Sequence, residues 1–189
     1  MSSSLDIQVE KKPRPTRPLA ERMRPLRLEE VRGQSHLLGK DCLLPKLIRE
    51  NRVGNLILAG PPGTGKTTLA TVIAEESKCK QIKLNAVTSN VTELRESLKL
   101  ARYYGSEKCF LFVDEIHRFN KAQQDLLLPD IESGEVRLIG ATTHNPRYYV
   151  IDPLLSRSQL FTLQSLEINE IEKALLACID NHENGLGSR

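Results

Sequence analysis

Apolar positions in this chain fall into short, nearly unbroken runs separated by longer stretches in which they recur every three or four residues. Leu56-Ile57-Leu58-Ala59 and Cys109-Phe110-Leu111-Phe112-Val113 are runs of the first kind, and residues 136–141 form a third, interrupted only by Arg137. Such runs read as strands buried on both faces, the pattern of a parallel sheet. Residues 81–85 and 158–163 supply two more strands. Between them the spacing predicts helices over 66–77, 91–104, 121–133 and 169–179, with Leu94, Leu98 and Ala101 on one face of the second and Gly134 stopping the third. A shorter helix over 43–50 precedes the first strand. Strands alternating with helices of this length predict an α/β fold, a parallel five-stranded sheet with helices on both faces.

The turn after the first strand carries the strongest chemical signal. Gly60-Pro61-Pro62-Gly63-Thr64-Gly65-Lys66-Thr67-Thr68 contains a glycine, four residues, then Gly-Lys-Thr, between a strand and a helix. Glycines let consecutive backbone N–H groups turn inward around an anion, and the following helix points its positive end at the same place. Lys66 is positioned for the β- and γ-phosphates of a nucleoside triphosphate, and the Thr67 hydroxyl for Mg²⁺. This is a P-loop NTPase reading, with ATP and Mg²⁺ as the expected ligands.

Asp114 and Glu115 end the 109–113 run, and the C-terminal tips of parallel strands are where ligands bind in open α/β sheets. Asp114 is placed to hold Mg²⁺, and Glu115 to polarise a water for in-line attack on the γ-phosphate. Leu138-Ile139-Gly140-Ala141-Thr142-Thr143 ends another strand in paired hydroxyls, of which Thr143 is the candidate contact to the attacking water or γ-phosphate. Arg157 follows Pro153-Leu154-Leu155-Ser156 and has two readings from the residues alone: a surface ion pair in its own fold, or a cation offered to a neighbouring subunit's site.

Composition narrows the class. At 39% hydrophobic and 27% charged residues, the 189-residue chain has the balance of an ordinary folded domain. Residues 1–17 read as a flexible basic arm rich in proline. With Arg22, Arg24 and Glu21 just beyond it, this end accounts for the net charge of +3, either as a solvated tail or as a contact for nucleic-acid phosphates. Cys42, Cys79, Cys109 and Cys178 have no C-x-x-C spacing and read as free thiols of a reducing compartment. His36, His117, His144 and His182 show no ligand spacing, so no structural metal is expected. No run reaches the length of a membrane span and no apolar signal core follows Met1, which points to the cytoplasm.

The order of these motifs resembles that of an AAA+ ATPase. It extends through Thr68-Leu69-Ala70, Phe112-Val113-Asp114-Glu115-Ile116-His117-Arg118-Phe119-Asn120-Lys121, Ile139-Gly140-Ala141-Thr142-Thr143 and Leu154-Leu155-Ser156-Arg157. Pro18-Leu19-Ala20-Glu21-Arg22-Met23-Arg24-Pro25, Val31-Arg32-Gly33-Gln34, Ala86-Val87-Thr88-Ser89 and Gln123-Gln124-Asp125 are similar to the clamp-loader-like replication-associated recombination protein A family, also called MgsA or Werner-helicase-interacting. The resemblance covers residues 18–180. It implies that Lys66, Thr67 and Asp114 hold the triphosphate and Mg²⁺, that Glu115 is the base and Thr143 the first sensor, and that Arg157 is a finger for the next subunit. Val31 and Gly33 would lie near the adenine.

The family also implies homo-oligomers, single-strand/duplex DNA junctions at stalled forks, single-stranded DNA-binding protein as partner, and a cytoplasmic, nucleoid-associated location. His144 departs from the family, which usually has an acidic residue there. Family members continue into a helical lid with a second sensor arginine and an oligomerisation domain. Residues 18–165 would form the nucleotide-binding core and 166–189 the start of a truncated lid, so the short chain is expected to be a weak ATPase. Two alternatives stand beside fork maintenance: a nucleotide-binding fragment or regulatory form that hydrolyses poorly, and a small-molecule P-loop kinase.

Overall fold

The computed structural model describes residues 18–181 and 185–187. The basic arm expected over 1–17 lies outside them. Three short helices lead in: α1 (Leu19–Arg22), α2 (Ser35–Leu38) and α3 (Leu43–Arg49), with a 3₁₀ turn at Leu28–Glu30. Then follow β1 (Leu56–Ala59), α4 (Lys66–Glu76), β2 (Lys80–Asn85), α5 (Val91–Tyr104) and β3 (Cys109–Asp114). A 3₁₀ turn at Ile116–Arg118 leads to α6 (Lys121–Asp125), α7 (Leu128–Ser133), β4 (Arg137–Thr142), α8 (Pro146–Tyr149), α9 (Asp152–Ser156), β5 (Gln159–Thr162) and α10 (Ile168–Asp180).

All strand pairs are parallel, in the order β2-β3-β4-β1-β5. Side-chain alternation divides the core into two layers. Leu56, Leu58, Phe110, Phe112, Ile139 and Phe161 face one side, against Leu44 and Ile48 of α3 and Leu69 and Ile73 of α4. Ile57, Leu111, Val113 and Leu138 face the other, against Leu94 and Leu98 of α5, Leu127, Ile131 of α7 and Leu154 of α9. Gly140 is dictated by this packing, since a Cβ there would lie 2.8 Å from the Ile57 Cδ1.

Among the predicted helices and strands, one is divided, and the short helices α1, α2 and α8 are additions to them. The single helix over 121–133 is two, α6 and α7, joined through Leu126 and Leu127. Pro129 lacks the N–H that would bond the Asp125 carbonyl, and its ring crowds that carbonyl. Asn120 and Gln123 cap α6 reciprocally, and Asn90 and Glu93 do the same for α5. All four cysteines are free. Among the described residues no helix is long and apolar enough to cross a membrane.

Candidate active site

The loop of residues 60–65 leaves the C-terminal end of β1, which lies between β4 and β5. Gly60 still extends the ladder through its N–H to the Thr142 carbonyl (3.2 Å), and a Cβ on it would collide with the Leu163 carbonyl oxygen. Gly63 and Gly65 have φ of +76° and +93°, which only glycine adopts readily, and Gly65 starts α4. Pro61, Pro62 and Gly63 are exposed, while Thr64 is buried and donates its hydroxyl to the Pro61 carbonyl (2.9 Å). Lys66 is 6% exposed, and its Nζ donates to the Gly60 and Pro61 carbonyls at 2.8 Å each. Burial pulls its ammonium below the ordinary value, and the charges of Glu115 and Asp114 pull it back up.

Thr67, in the first turn of α4, donates its hydroxyl to Asp114 Oδ2 (3.2 Å), and Thr68 follows it half-buried. Asp114 Oδ1 accepts the Glu115 N–H (3.1 Å). Glu115 itself is left-handed, with φ of 54°, an unusual conformation outside glycine. That turn carries its carboxylate across to the tip of β4, where Thr143 donates to Oε2 at 3.2 Å. Residues 60–68, Asp114, Glu115 and Thr143 therefore share one sheet edge.

Val31 and Gly33 are held to this edge by a neighbour the sequence analysis assigned no role. Gln34, buried and left-handed at φ of 59°, donates from Nε2 to the Gln164 carbonyl (2.7 Å) and accepts the Gln164 N–H (2.9 Å). The same Nε2 lies 3.4 Å from the Thr64 carbonyl. His36 reaches the Thr162 carbonyl (2.9 Å), and a Cβ on Gly33 would lie 2.5 Å from Leu166 Cδ2. A strap from 31 to 36 is thus stitched to the segment between β5 and α10. No local signal announces Gln34, because its partner is 130 residues away.

His117 was likewise passed over, although it lies two positions after Glu115. Its ring is buried against His144 (centroids 4.1 Å apart), and its Nδ1 lies 3.2 Å from Glu115 Oε2. His144 in turn meets Tyr149 edge to face (centroids 4.8 Å apart).

Arg157 is not brought to this edge. It caps α9, and its carbonyl accepts from Asn55 Nδ2 (3.2 Å) just before β1 begins. Its Nη2 pairs with Glu132 at 2.8 Å and its Nη1 donates to the Pro153 carbonyl at 2.9 Å. The surface ion pair is the contact made within the chain.

A family model described as ATPase family associated with various cellular activities (AAA) matches residues 56–167. The replication-associated recombination protein A of Haemophilus influenzae is 46% identical over 172 residues, covering 90% of this chain and 39% of that protein. Its namesake in Escherichia coli is 45% identical over 174 residues, covering 91% and 39%. Among solved structures, the RuvB Holliday junction branch migration motor of Thermotoga maritima superposes with a TM-score of 0.70 at 30% identity, covering 84% of this chain and 54% of that one. The chain spans 39% of the length of the first of these relatives.

Proposed function

The chain belongs to the AAA family of ATPases, in its replication-associated recombination protein A branch, and from that premise we propose that it is a Mg²⁺-dependent ATP-hydrolysing module of replication-fork maintenance, recombination and repair. The observation that carries this reading is the gathering of Lys66, Thr67, Asp114, Glu115 and Thr143 at one sheet edge, where Thr67 bonds Asp114 and Thr143 bonds Glu115, each at 3.2 Å. In it, the N–H groups of the loop cradle the triphosphate, and Lys66 swings from the Gly60 and Pro61 carbonyls to the β- and γ-phosphates. Thr67 and Asp114 offer a hydroxyl and a carboxylate, hard oxygen donors that fit Mg²⁺. Bound there, Mg²⁺ would neutralise charge on the phosphate oxygens. Glu115 takes a proton from a water as that water's oxygen bonds the γ-phosphorus and the bond to the β–γ bridging oxygen breaks, releasing ADP. Thr143 orients the water or the γ-phosphate.

The decisive variant is Glu115→Gln, which keeps shape and loses the proton acceptor. ATP affinity, measured with a fluorescent analogue, should persist while phosphate release falls by roughly 10²–10⁴. Loss of both together would make Glu115 a structural residue.

The position of Arg157 favours a second reading, a module that holds nucleotide and turns it over poorly by itself, since its finger candidate sits at the far edge. A small-molecule kinase loses ground because the matching family is described as ATPases and Asp114 and Glu115 sit together at the tip of β3. The proposed partners are further copies of the chain, single-strand/duplex DNA junctions and single-stranded DNA-binding protein, in the cytoplasm at the nucleoid.

A further inference from the structure

Glu115 Oε2 has a second polar neighbour besides the Thr143 hydroxyl. His117 Nδ1 lies 3.2 Å from that oxygen and 3.0 Å from Thr142 Oγ1, so one ring nitrogen faces both the carboxylate and the sensor strand. We propose that His117, neutral and protonated on Nδ1, is a positioning residue for hydrolysis: it fixes the Glu115 carboxylate by its Oε2 and leaves Oε1 for the water. The inference rests on Glu115 being the base.

The proton assignment follows from counting donors. Thr142 accepts the His144 N–H at 3.1 Å, and its own hydrogen has the His144 carbonyl at 3.4 Å as an acceptor. It does not need the imidazole as an acceptor. An unprotonated Nδ1 would set its lone pair 3.2 Å from a carboxylate oxygen, with the His117 side chain only 4% exposed and little water to screen the repulsion. With the proton on Nδ1, the N–H bonds Thr142 Oγ1, its nearer partner at 3.0 Å, and sets its positive end beside the Glu115 carboxylate at 3.2 Å. Thr143 fits the same scheme, donating to Glu115 Oε2 and accepting from His144 Nδ1 (3.1 Å). The Thr143 hydroxyl donates to Oε2 and His117 Nδ1 lies beside the same oxygen, and among the described residues no hydrogen bond is made to Oε1.

The ring is held in place by the 3₁₀ turn Ile116–Arg118, by the His144 ring and by Tyr149 at 6.1 Å. Burial, then His144 and Arg118, favour the neutral ring against the pull of Glu115. That neutrality matters, because an imidazolium would pair with Glu115 and weaken it as a base. The left-handed backbone at Glu115 gives the carboxylate no regular element to lean on, and His117 and Thr143 supply that support.

The test has two arms on the full chain. In the first, the protein is labelled with ¹⁵N-histidine and the ring tautomer is read from two-bond nitrogen–proton correlations above the imidazole range, with the His117 signals assigned by their loss in His117→Asn. An Nδ1–H tautomer is expected, and an Nε2–H tautomer overturns the proposal whatever the turnover. In the second, His117→Ala and His117→Gln should lower single-turnover phosphate release by about 100-fold, the cost of a misplaced catalytic group, with the affinity for a fluorescent ATP analogue unchanged. His117→Asn places an amide nitrogen near the Nδ1 position and should recover most of the rate. Equal rates in the Ala and Asn variants, or affinity falling with rate, overturn the proposal. Hydrolysis that survives Glu115→Gln sinks the base assignment and this inference with it. Hydrolysis that is lost in Glu115→Gln and intact in His117→Ala sinks the inference alone.

Discussion

Where β1, β3 and β4 end, Lys66, Thr67, Asp114, Glu115 and Thr143 face one another; where β1 begins, Arg157 is paired with Glu132. The two edges are separated by the length of β1, four residues or about 13 Å of strand. Both ends of β1 are fixed in the sheet between β4 and β5, so no rearrangement of loops brings Arg157 to its own Glu115. One edge gathers the residues proposed to grip a triphosphate and polarise a water. The other holds a cation paired within its own chain, and in the proposed reading it serves another molecule's site. A reading of motifs along the chain puts them on equal terms; the sheet separates them.

The largest effect that tests this division is on binding. Lys66 is the one lysine or arginine placed inside the loop, so Lys66→Ala should weaken ATP binding by at least about 100-fold, the cost of removing one partner from a desolvated charge contact. Titration with a fluorescent ATP analogue reads this directly. Affinity within a factor of a few of the original chain would mean that the loop backbone alone suffices, and that the near edge is less complete than its geometry indicates.

A smaller effect concerns pH. Burial lowers the His117 imidazole below its ordinary value of about 6.5. A base whose folded value is depressed binds fewer protons folded than unfolded, so its contribution to stability is fully present above about pH 6.5 and declines as pH falls through the lowered folded value. The melting temperature should therefore drop on acidification, and His117→Asn should remove part of that drop. An acid-side slope identical in the two proteins would show that His117 does not titrate with folding.

Much of this was legible in the sequence, for identifiable reasons. Leu56-Ile57-Leu58-Ala59 and the run ending at Asp114 are buried on both faces, so their apolar character is continuous and their ends are unmistakable. The phosphate loop is local, its geometry set by Gly63 and Gly65 within a few residues of Lys66. What escaped depends on distant contacts or on dihedrals. Gln34 acquires its role from Gln164, and His117 from Thr142 and a left-handed turn at Glu115 that no residue type announces. The break between α6 and α7 was written in Pro129, but the apolar spacing across Leu126, Leu127 and Ile131 masked it. α10 illustrates the opposite limit. The helix expected over 169–179 is present, yet its apolar positions Ile171, Leu175 and Ile179 are exposed, because spacing says that a face is apolar and not what covers it.

The smallest expected effect is the most discriminating. Arg157→Ala should change neither ATP affinity nor phosphate release when the chain is dilute, because the residue contacts Glu132 and Pro153 and nothing at the nucleotide edge. Its stability cost should be about 0–1 kcal/mol, the range for a pair in which both side chains are roughly half exposed. An arginine delivered by a neighbour is worth on the order of 10³–10⁵ in rate, so the two proteins should diverge only if chains assemble. Phosphate release per chain is measured over a wide range of protein concentration. A turnover that climbs with concentration in the original chain and stays flat in Arg157→Ala places the arginine in a second molecule's site. Flat, equal and slow turnover in both is the expected behaviour of chains that stay apart. A loss of turnover in the most dilute sample of the variant would require Arg157 to act across the length of its own sheet, and the division between the two edges would fall.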